Sequence, residues 1–149
     1  MNTKLLYIDI ETTQKGKIKD VGALFGGKKL HTSSVVELKP WIVATDYICG
    51  HNIVAHDIPL LAKVLGSEIF QHKKIVDTLL WSPILFNENP YHKLVKGYKI
   101  VNDSDYNNPL SDCILTEELL NEELNKFNSL PYNLKQLYGI LLSNSTEYH

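Results

Sequence analysis

The first part of the chain alternates short apolar runs with turn residues, which is typical of β-strands. Residues 5–10 form an almost continuous apolar run and predict a buried central strand. Residues 18–25 and 28–38 predict a second and a third strand, and the Gly26-Gly27 pair between them suits a hairpin turn. The chain is therefore expected to begin with a meander of three strands.

Beyond the meander, short apolar runs alternate with segments that have helical spacing. Strands are predicted at residues 47–50 and 74–76, and helices at 40–46, 57–65, 79–86, 110–127 and 133–142. Residues 87–108 are polar and irregular. This order predicts an α/β domain with a five-stranded mixed sheet flanked by helices.

The composition indicates the class of protein but not its function. The 149 residues suit a single domain, residues 1–149, which can be a piece of a longer polypeptide. The formal net charge of −2 provides no overall basic field for nucleic acid. Cys49 and Cys113 lack metal-site spacing and suit core positions in a reducing compartment. With no signal peptide and no apolar run of membrane length, we expect a cytoplasmic protein without a membrane partner.

Two carboxylates, Asp9 and Glu11, interrupt the apolar pattern of the first predicted strand. Side chains alternate between the faces of a strand, so these two point to the same face. They repel each other, and either one is protonated or a cation lies between them. Mg²⁺ and Mn²⁺ prefer oxygen ligands and suit this pair. The alternative is that both acids face solvent at a strand end.

Polar residues also crowd the junction between the fourth predicted strand and the next helix. The segment GHNIVAHDIPLL, residues 50–61, contains His51, Asn52, His56 and Asp57. Asp57 suits the first turn of the helix, where a carboxylate caps or stabilises the N-terminus. It is also placed to extend over the end of the sheet, where ligands of open α/β sheets bind.

A third polar segment, NNPLSDC at residues 107–113, carries Asp112 early in a predicted helix, where a negative charge is favourable in itself. Together with YIDIETT at residues 7–13, the two later segments resemble, in order and spacing, the three motifs of the DEDD (DnaQ-like) exonucleases. This family has a ribonuclease H-like fold. A narrower likeness is to the exonuclease-like domain at the N-terminus of some bacterial RecQ-type helicases.

The resemblance implies a 3′–5′ exonuclease that releases nucleoside 5′-monophosphates with two Mg²⁺ or Mn²⁺ ions as cofactors. The implied metal-binding acids are Asp9, Glu11, Asp57 and Asp112. The implied contacts to nucleic acid are Thr12, Thr13, His51 and Asn52. The implied partners are single-stranded 3′ ends of nucleic acid, with DNA favoured over RNA, and a helicase domain in the same polypeptide.

One position departs from the family pattern. The family places its general base, a His or a Tyr, five or four residues before the last Asp, and this chain has Asn107 and Asn108 there. Asn accepts no proton at neutral pH. Three explanations remain open. Asn107 orients the water in a slow enzyme; another side chain, with His56 favoured over His92 and Tyr106, acts as the base; or the domain binds nucleic acid or a partner without cutting.

Overall fold

A computed structural model describes residues 4–94 and 108–142, which form one mixed sheet with helices on its faces. The strands are β1 (Leu5–Thr12), β2 (Ile18–Phe25), β3 (Lys28–Thr32), β4 (Tyr47–Gly50) and β5 (Lys74–Asp77). They lie in the order β3-β2-β1-β4-β5. The β1–β2 and β2–β3 pairs are antiparallel, whereas the β1–β4 and β4–β5 pairs are parallel.

Five α-helices are described. They are α1 (Lys39–Val43), α2 (Asp57–Leu65), α3 (Thr78–Leu85), α4 (Pro109–Ser129) and α5 (Tyr132–Leu142), and two 3-10 turns lie at Val35–Leu38 and Ser67–Phe70. None of the helices in the described part of the chain has the length and apolar character needed to cross a membrane. The architecture confirms the predicted α/β class with a five-stranded mixed sheet, and it is compatible with a ribonuclease H-like fold.

The alternation of β1 divides the core into two layers. Leu6, Ile8 and Ile10 are buried in the larger layer. Tyr7 lies on the opposite face in a smaller layer, where α4 packs through Cys113 and Leu120. Because Asp9 and Glu11 share the parity of Tyr7, they face the α4 side of the sheet.

Gly22 determines how closely α4 approaches the sheet. It pairs with Asp9 across the β1–β2 ladder. A Cβ atom at Gly22 would lie 2.3 Å from the carbonyl carbon of Pro109, the first residue of α4. Only glycine allows this contact, since no real Cβ atom comes so near a backbone atom. The N-terminus of α4 is thereby seated directly beside Asp9.

The third strand is shorter than predicted. It ends at Thr32, whereas the apolar and β-branched residues up to position 38 indicated a continuing strand. The backbone N–H of Ser34 donates to the Thr32 hydroxyl (3.0 Å), and the chain then turns into the 3-10 segment, where Leu38 is fully buried. The prediction of a strand over residues 33–38 is wrong because that apolar pattern reflects burial in a turn.

Candidate metal centre

Three carboxylates meet at the end of β1. Asp9, Glu11 and Asp112 each offer an oxygen, and these oxygens lie within 4.8 Å of one another. Asp112 is 8% exposed, and the other two are half-buried. An all-carboxylate donor set of this size suits a hard divalent cation such as Mg²⁺ or Mn²⁺. The cluster can therefore bind a metal ion.

The N-terminus of α4 brings Asp112 into this cluster. The Asn108 side chain caps the helix by accepting from the backbone N–H groups of Leu110 (3.0 Å) and Ser111 (3.4 Å). Asp112 follows in the first turn, where the helix dipole also favours a carboxylate. At one of the two positions where the family has its base, this chain thus has a helix cap.

Asp57 is held next to the cluster and is not one of the three residues that form it. Its Oδ1 accepts a hydrogen bond from the Ile10 backbone N–H (2.9 Å) between Asp9 and Glu11. β1 pairs with β4 only from Leu5 to Tyr7. Beyond the end of that pairing, the side chain of Asp57 is the hydrogen-bond acceptor for the β1 backbone. The Asp57 carboxylate therefore attaches α2 to β1 between the two acids of the cluster.

Burial raises the pKa of Asp57 to about 7, and the charges of Asp77 and Glu11 act in the same direction. The hydrogen bond from Ile10 opposes this rise. Asp57 is 2% exposed. A carboxyl group in such surroundings is ionised cheaply only when a cation lies near it. The electrostatics of Asp57 therefore suit a site that gains positive charge when it is occupied.

The two histidines of the second segment have different surroundings. The side chain of His56 is 44% exposed, and its Nδ1 lies 3.6 Å from Asp57 Oδ2. His51 Nδ1 is hydrogen-bonded to Thr78 Oγ1 (2.9 Å), and the ring also bonds to the backbone of His92. Burial lowers the pKa of His51, so its ring is neutral at neutral pH. His51 therefore joins the end of β4 to α3 and to the segment after it.

Asp77 has a wider role than its sequence position indicates. It caps α3 by accepting from the Leu79 N–H (3.0 Å). It also accepts from the backbone N–H groups of Asn52 (2.8 Å) and Val54 (3.1 Å). Asn52 has a φ of 64°, a left-handed conformation that Asn tolerates better than most residues. Asp77 thus fixes the loop that carries His51 and Asn52. The only sequence signal for this role was a carboxylate directly after the strand predicted at residues 74–76.

The remaining predicted site residues are placed as follows. Thr12 ends β1 beside the acidic cluster. Thr13 forms a turn, in which its N–H donates to Lys17 O (2.8 Å) and its hydroxyl accepts from the Lys17 N–H (3.2 Å). Asn107 and Tyr106 lie outside the described residues, so the roles expected of them stay predictions.

A cleft of about 260 Å³ opens between α3, the segment after it and α4. Its walls include Tyr91, His92 and Lys93 on one side and Leu115 on the other. His92 also lies close enough to His51 to influence its pKa, as does Asp112. The cleft therefore begins near the acidic cluster and presents an aromatic and a cationic side chain, together with the carboxylates of Glu118 and Glu122.

Comparisons with known proteins support the fold. No family model and no curated protein matches the chain. Among solved structures, the chain is similar to the family B DNA polymerase from the hyperthermophilic archaeon Pyrobaculum calidifontis, with 15% sequence identity and a TM-score of 0.55. The match covers 85% of this chain and 25% of the polymerase chain. At this identity the likeness concerns the fold alone.

Proposed function

We propose that this domain is a divalent-metal-dependent 3′–5′ exonuclease that hydrolyses single-stranded ends of DNA. The observation that carries the proposal is the convergence of Asp9, Glu11 and Asp112 from two distant segments onto one point at the end of the sheet. Structural similarity to a DNA polymerase and the DEDD-like order of the three motifs are consistent with it.

In this proposal Asp9, Glu11 and Asp112 would hold one Mg²⁺ or Mn²⁺ ion, and Asp57 would contribute to a second. Bound divalent ions supply Lewis-acid stabilisation of the charge that develops on a phosphodiester, and they activate water as a nucleophile. The chain itself holds the acids in place through the Ile10–Asp57 hydrogen bond and the seat of α4 on Gly22.

Residues around the cleft would bind the nucleic-acid end. Thr12 contacts the terminal nucleotide, and Thr13 shapes the turn beside it. His51 and Asn52 line the path of the chain, with their loop fixed by Asp77. The 260 Å³ cleft suits the nucleotides that follow, because Tyr91 offers a ring for stacking and Lys93 a charge for phosphate.

We assign the general base to His56. The side chain of His56 is accessible and lies beside Asp57, whereas both sides of the His51 ring are already engaged. Asn108 is occupied as a helix cap. If Asn107 merely orients water, loss of a base lowers the rate by about 10²–10⁴-fold. His56→Ala separates these cases: a drop of about 100-fold in rate supports His56, and an unchanged rate excludes it.

The decisive experiment follows 5′-labelled single-stranded DNA and RNA oligonucleotides with Mn²⁺. Stepwise shortening and release of nucleoside 5′-monophosphates are expected, faster on DNA. Asp9→Asn and Asp112→Asn should each lower the rate by at least about 100-fold. Asp46→Asn, which changes an exposed carboxylate elsewhere, is the matched control. A rate in Asp9→Asn equal to that of the control would exclude the assignment.

A second candidate is a module that binds nucleic acid or a partner without cutting, within a longer protein such as a helicase. Helix α5 favours it, because Tyr132, Leu137, Ile140 and Leu141 are all largely exposed. This candidate predicts oligonucleotide retention with no shortening in Mn²⁺. It also predicts no rise in the melting temperature with Mn²⁺, whereas a metal site raises the stability of the folded state.

A further inference from the structure

A second cavity lies between α3 and α4, outside the proposed metal centre. It has a volume of about 270 Å³, it is partly open to solvent, and its walls are apolar except for one residue. Trp81 and Leu85 come from α3, and Leu120, Leu124 and Phe127 come from α4. Its volume corresponds to about nine water molecules, or to an organic molecule of roughly ten non-hydrogen atoms.

The exception in the wall is Glu123, a carboxylate that is 2% exposed. Its Oε1 accepts a hydrogen bond from Ser82 Oγ (2.7 Å). Its Oε2 is buried and has no hydrogen-bond partner among residues 4–94 and 108–142. A buried acceptor without a donor destabilises the fold by about 1–3 kcal/mol, and by more when it is charged. The carboxylate is thus half satisfied by the protein, and its residue lines an otherwise apolar cavity.

The surroundings of Glu123 disfavour its negative charge. Burial raises its pKa to about 7, the charges of Asp77 and Glu122 act in the same direction, and the Ser82 hydrogen bond opposes them. A water molecule on Oε2 would need two or more polar partners, and the wall offers no side-chain donor besides the Trp81 indole. What the cavity lacks is therefore a group that carries its own positive charge.

We propose that this cavity binds a small organic monocation, with its ammonium group on Glu123 Oε2 and its apolar body between Trp81 and Phe127. A charge-assisted hydrogen bond would satisfy the orphaned oxygen, and ring faces attract cations and bury apolar carbon. One cation already lies at this rim, since Lys135 Nζ is 5.9 Å from the Phe127 ring centroid. The site is independent of the exonuclease proposal.

The test uses two probes of equal size, the cation 2-phenylethylamine and the neutral 2-phenylethanol. Binding to the whole chain is followed by ¹H–¹⁵N NMR at the Trp81 indole and at amides of α3 and α4. The amine should bind about tenfold or more tightly than the alcohol. Glu123→Gln keeps the shape and the Ser82 bond, and it should abolish the preference. Glu118→Gln removes the same charge from an exposed site on α4 and should retain it.

A third variant guards against a folding defect in Glu123→Gln. Leu124 lines the cavity and is 49% exposed, so Leu124→Arg should fold and place its own cation at the cavity. It should lower amine affinity about tenfold or more. Equal binding of amine and alcohol, a preference that survives Glu123→Gln, or no response at Trp81 to either probe would each overturn the proposal. The last outcome would mean that the chain fills the cavity itself.

Discussion

Helix α4 carries two buried carboxylates in opposite kinds of surroundings. Asp112, near its N-terminus, meets two other acids, whereas Glu123, about 16 Å further along, faces apolar side chains. The first is surrounded by like charge, so a compact divalent ion suits it. The second is surrounded by carbon, so a cation with an apolar body suits it. A buried acid alone therefore does not specify which ligand binds; the side chains around it do.

The largest predicted effect comes from a substitution that displaces the Asp112 region of α4. Gly22→Ala places a Cβ against the Pro109 backbone, and α4 must move from its seat on β2. We expect a loss of about 3 kcal/mol in the free energy of unfolding, measured with urea. The stabilisation by Mn²⁺ should disappear, because Asp112 is moved away from Asp9.

Gly139→Ala is the control for this change. Gly139 lies within α5 with open space around it, so alanine should raise stability by up to about 1 kcal/mol and leave the Mn²⁺ effect intact. If Gly22→Ala kept both its stability and its response to Mn²⁺, the proposed seat of α4 would be wrong. If the Trp81 indole of Gly22→Ala still responded to the amine in the NMR experiment, the Glu123 region would be independent of the seat of α4 on Gly22.

The same two regions differ in how much of them the sequence predicts. The period of two in β1 placed Asp9 and Glu11 on one face, and the spacing of apolar residues predicted the bounds of β2, β4 and α2. These features depend on neighbours in the chain. The meeting of Asp112 with Asp9 and Glu11 was anticipated through the likeness of three motifs, since periodicity contains no information on which helix crosses which strand.

The contacts that depend on distant segments could not be predicted. Nothing local to Asp57 indicates that it bonds to Ile10, because that bond arises only where β4 ends and β1 continues. Glu123 lies in a run of polar residues, Asn121 to Glu123, that is typical of an exposed helix face. Its burial follows from the packing of α3 on α4 through Ser82, a contact between residues 41 positions apart.

Asp77 links the two regions, and its removal should have the second-largest effect. Its charge raises the pKa of both Asp57 and Glu123, and its carboxylate accepts three backbone N–H groups. Asp77→Ala leaves those donors without an acceptor, so we expect a loss of about 2–3 kcal/mol in urea unfolding. Asp46→Ala, at an exposed site, should change stability little. Similar values for the two variants would contradict this role.

The dependence of stability on pH isolates the Glu123 region. Its pKa rises from 4.5 in the unfolded chain to about 7 in the fold, so the folded state binds the proton more tightly. Its contribution is therefore fully present below pH 4.5 and is lost as the pH rises through about 7. Glu123→Gln has no such group, so it should gain about 1–2 kcal/mol over the wild type between pH 5 and pH 8.

The comparison of wild type and Glu123→Gln is made by urea unfolding at each pH. Glu118→Gln serves as the control, because an exposed carboxylate on the same helix should run parallel to the wild type. A constant difference between Glu123→Gln and the wild type across this range would show that Glu123 titrates normally in the fold.

The smallest effect concerns the first turn of α4, where the resemblance placed a Tyr in one branch of the family. Asn108 caps this helix through two backbone N–H groups, so Asn108→Ala should lower stability by about 1 kcal/mol. Asn121→Ala, an exposed position within the same helix, should instead raise it by a few tenths of a kcal/mol. Asn108→Asp keeps an acceptor and should retain wild-type stability.

A Tyr at this position offers no cap, so if Asn108→Tyr gained activity it would also lose about as much stability as Asn108→Ala. Equal stability of Asn108→Ala and Asn121→Ala would show that the cap is unimportant and that Asn at this position has another reason.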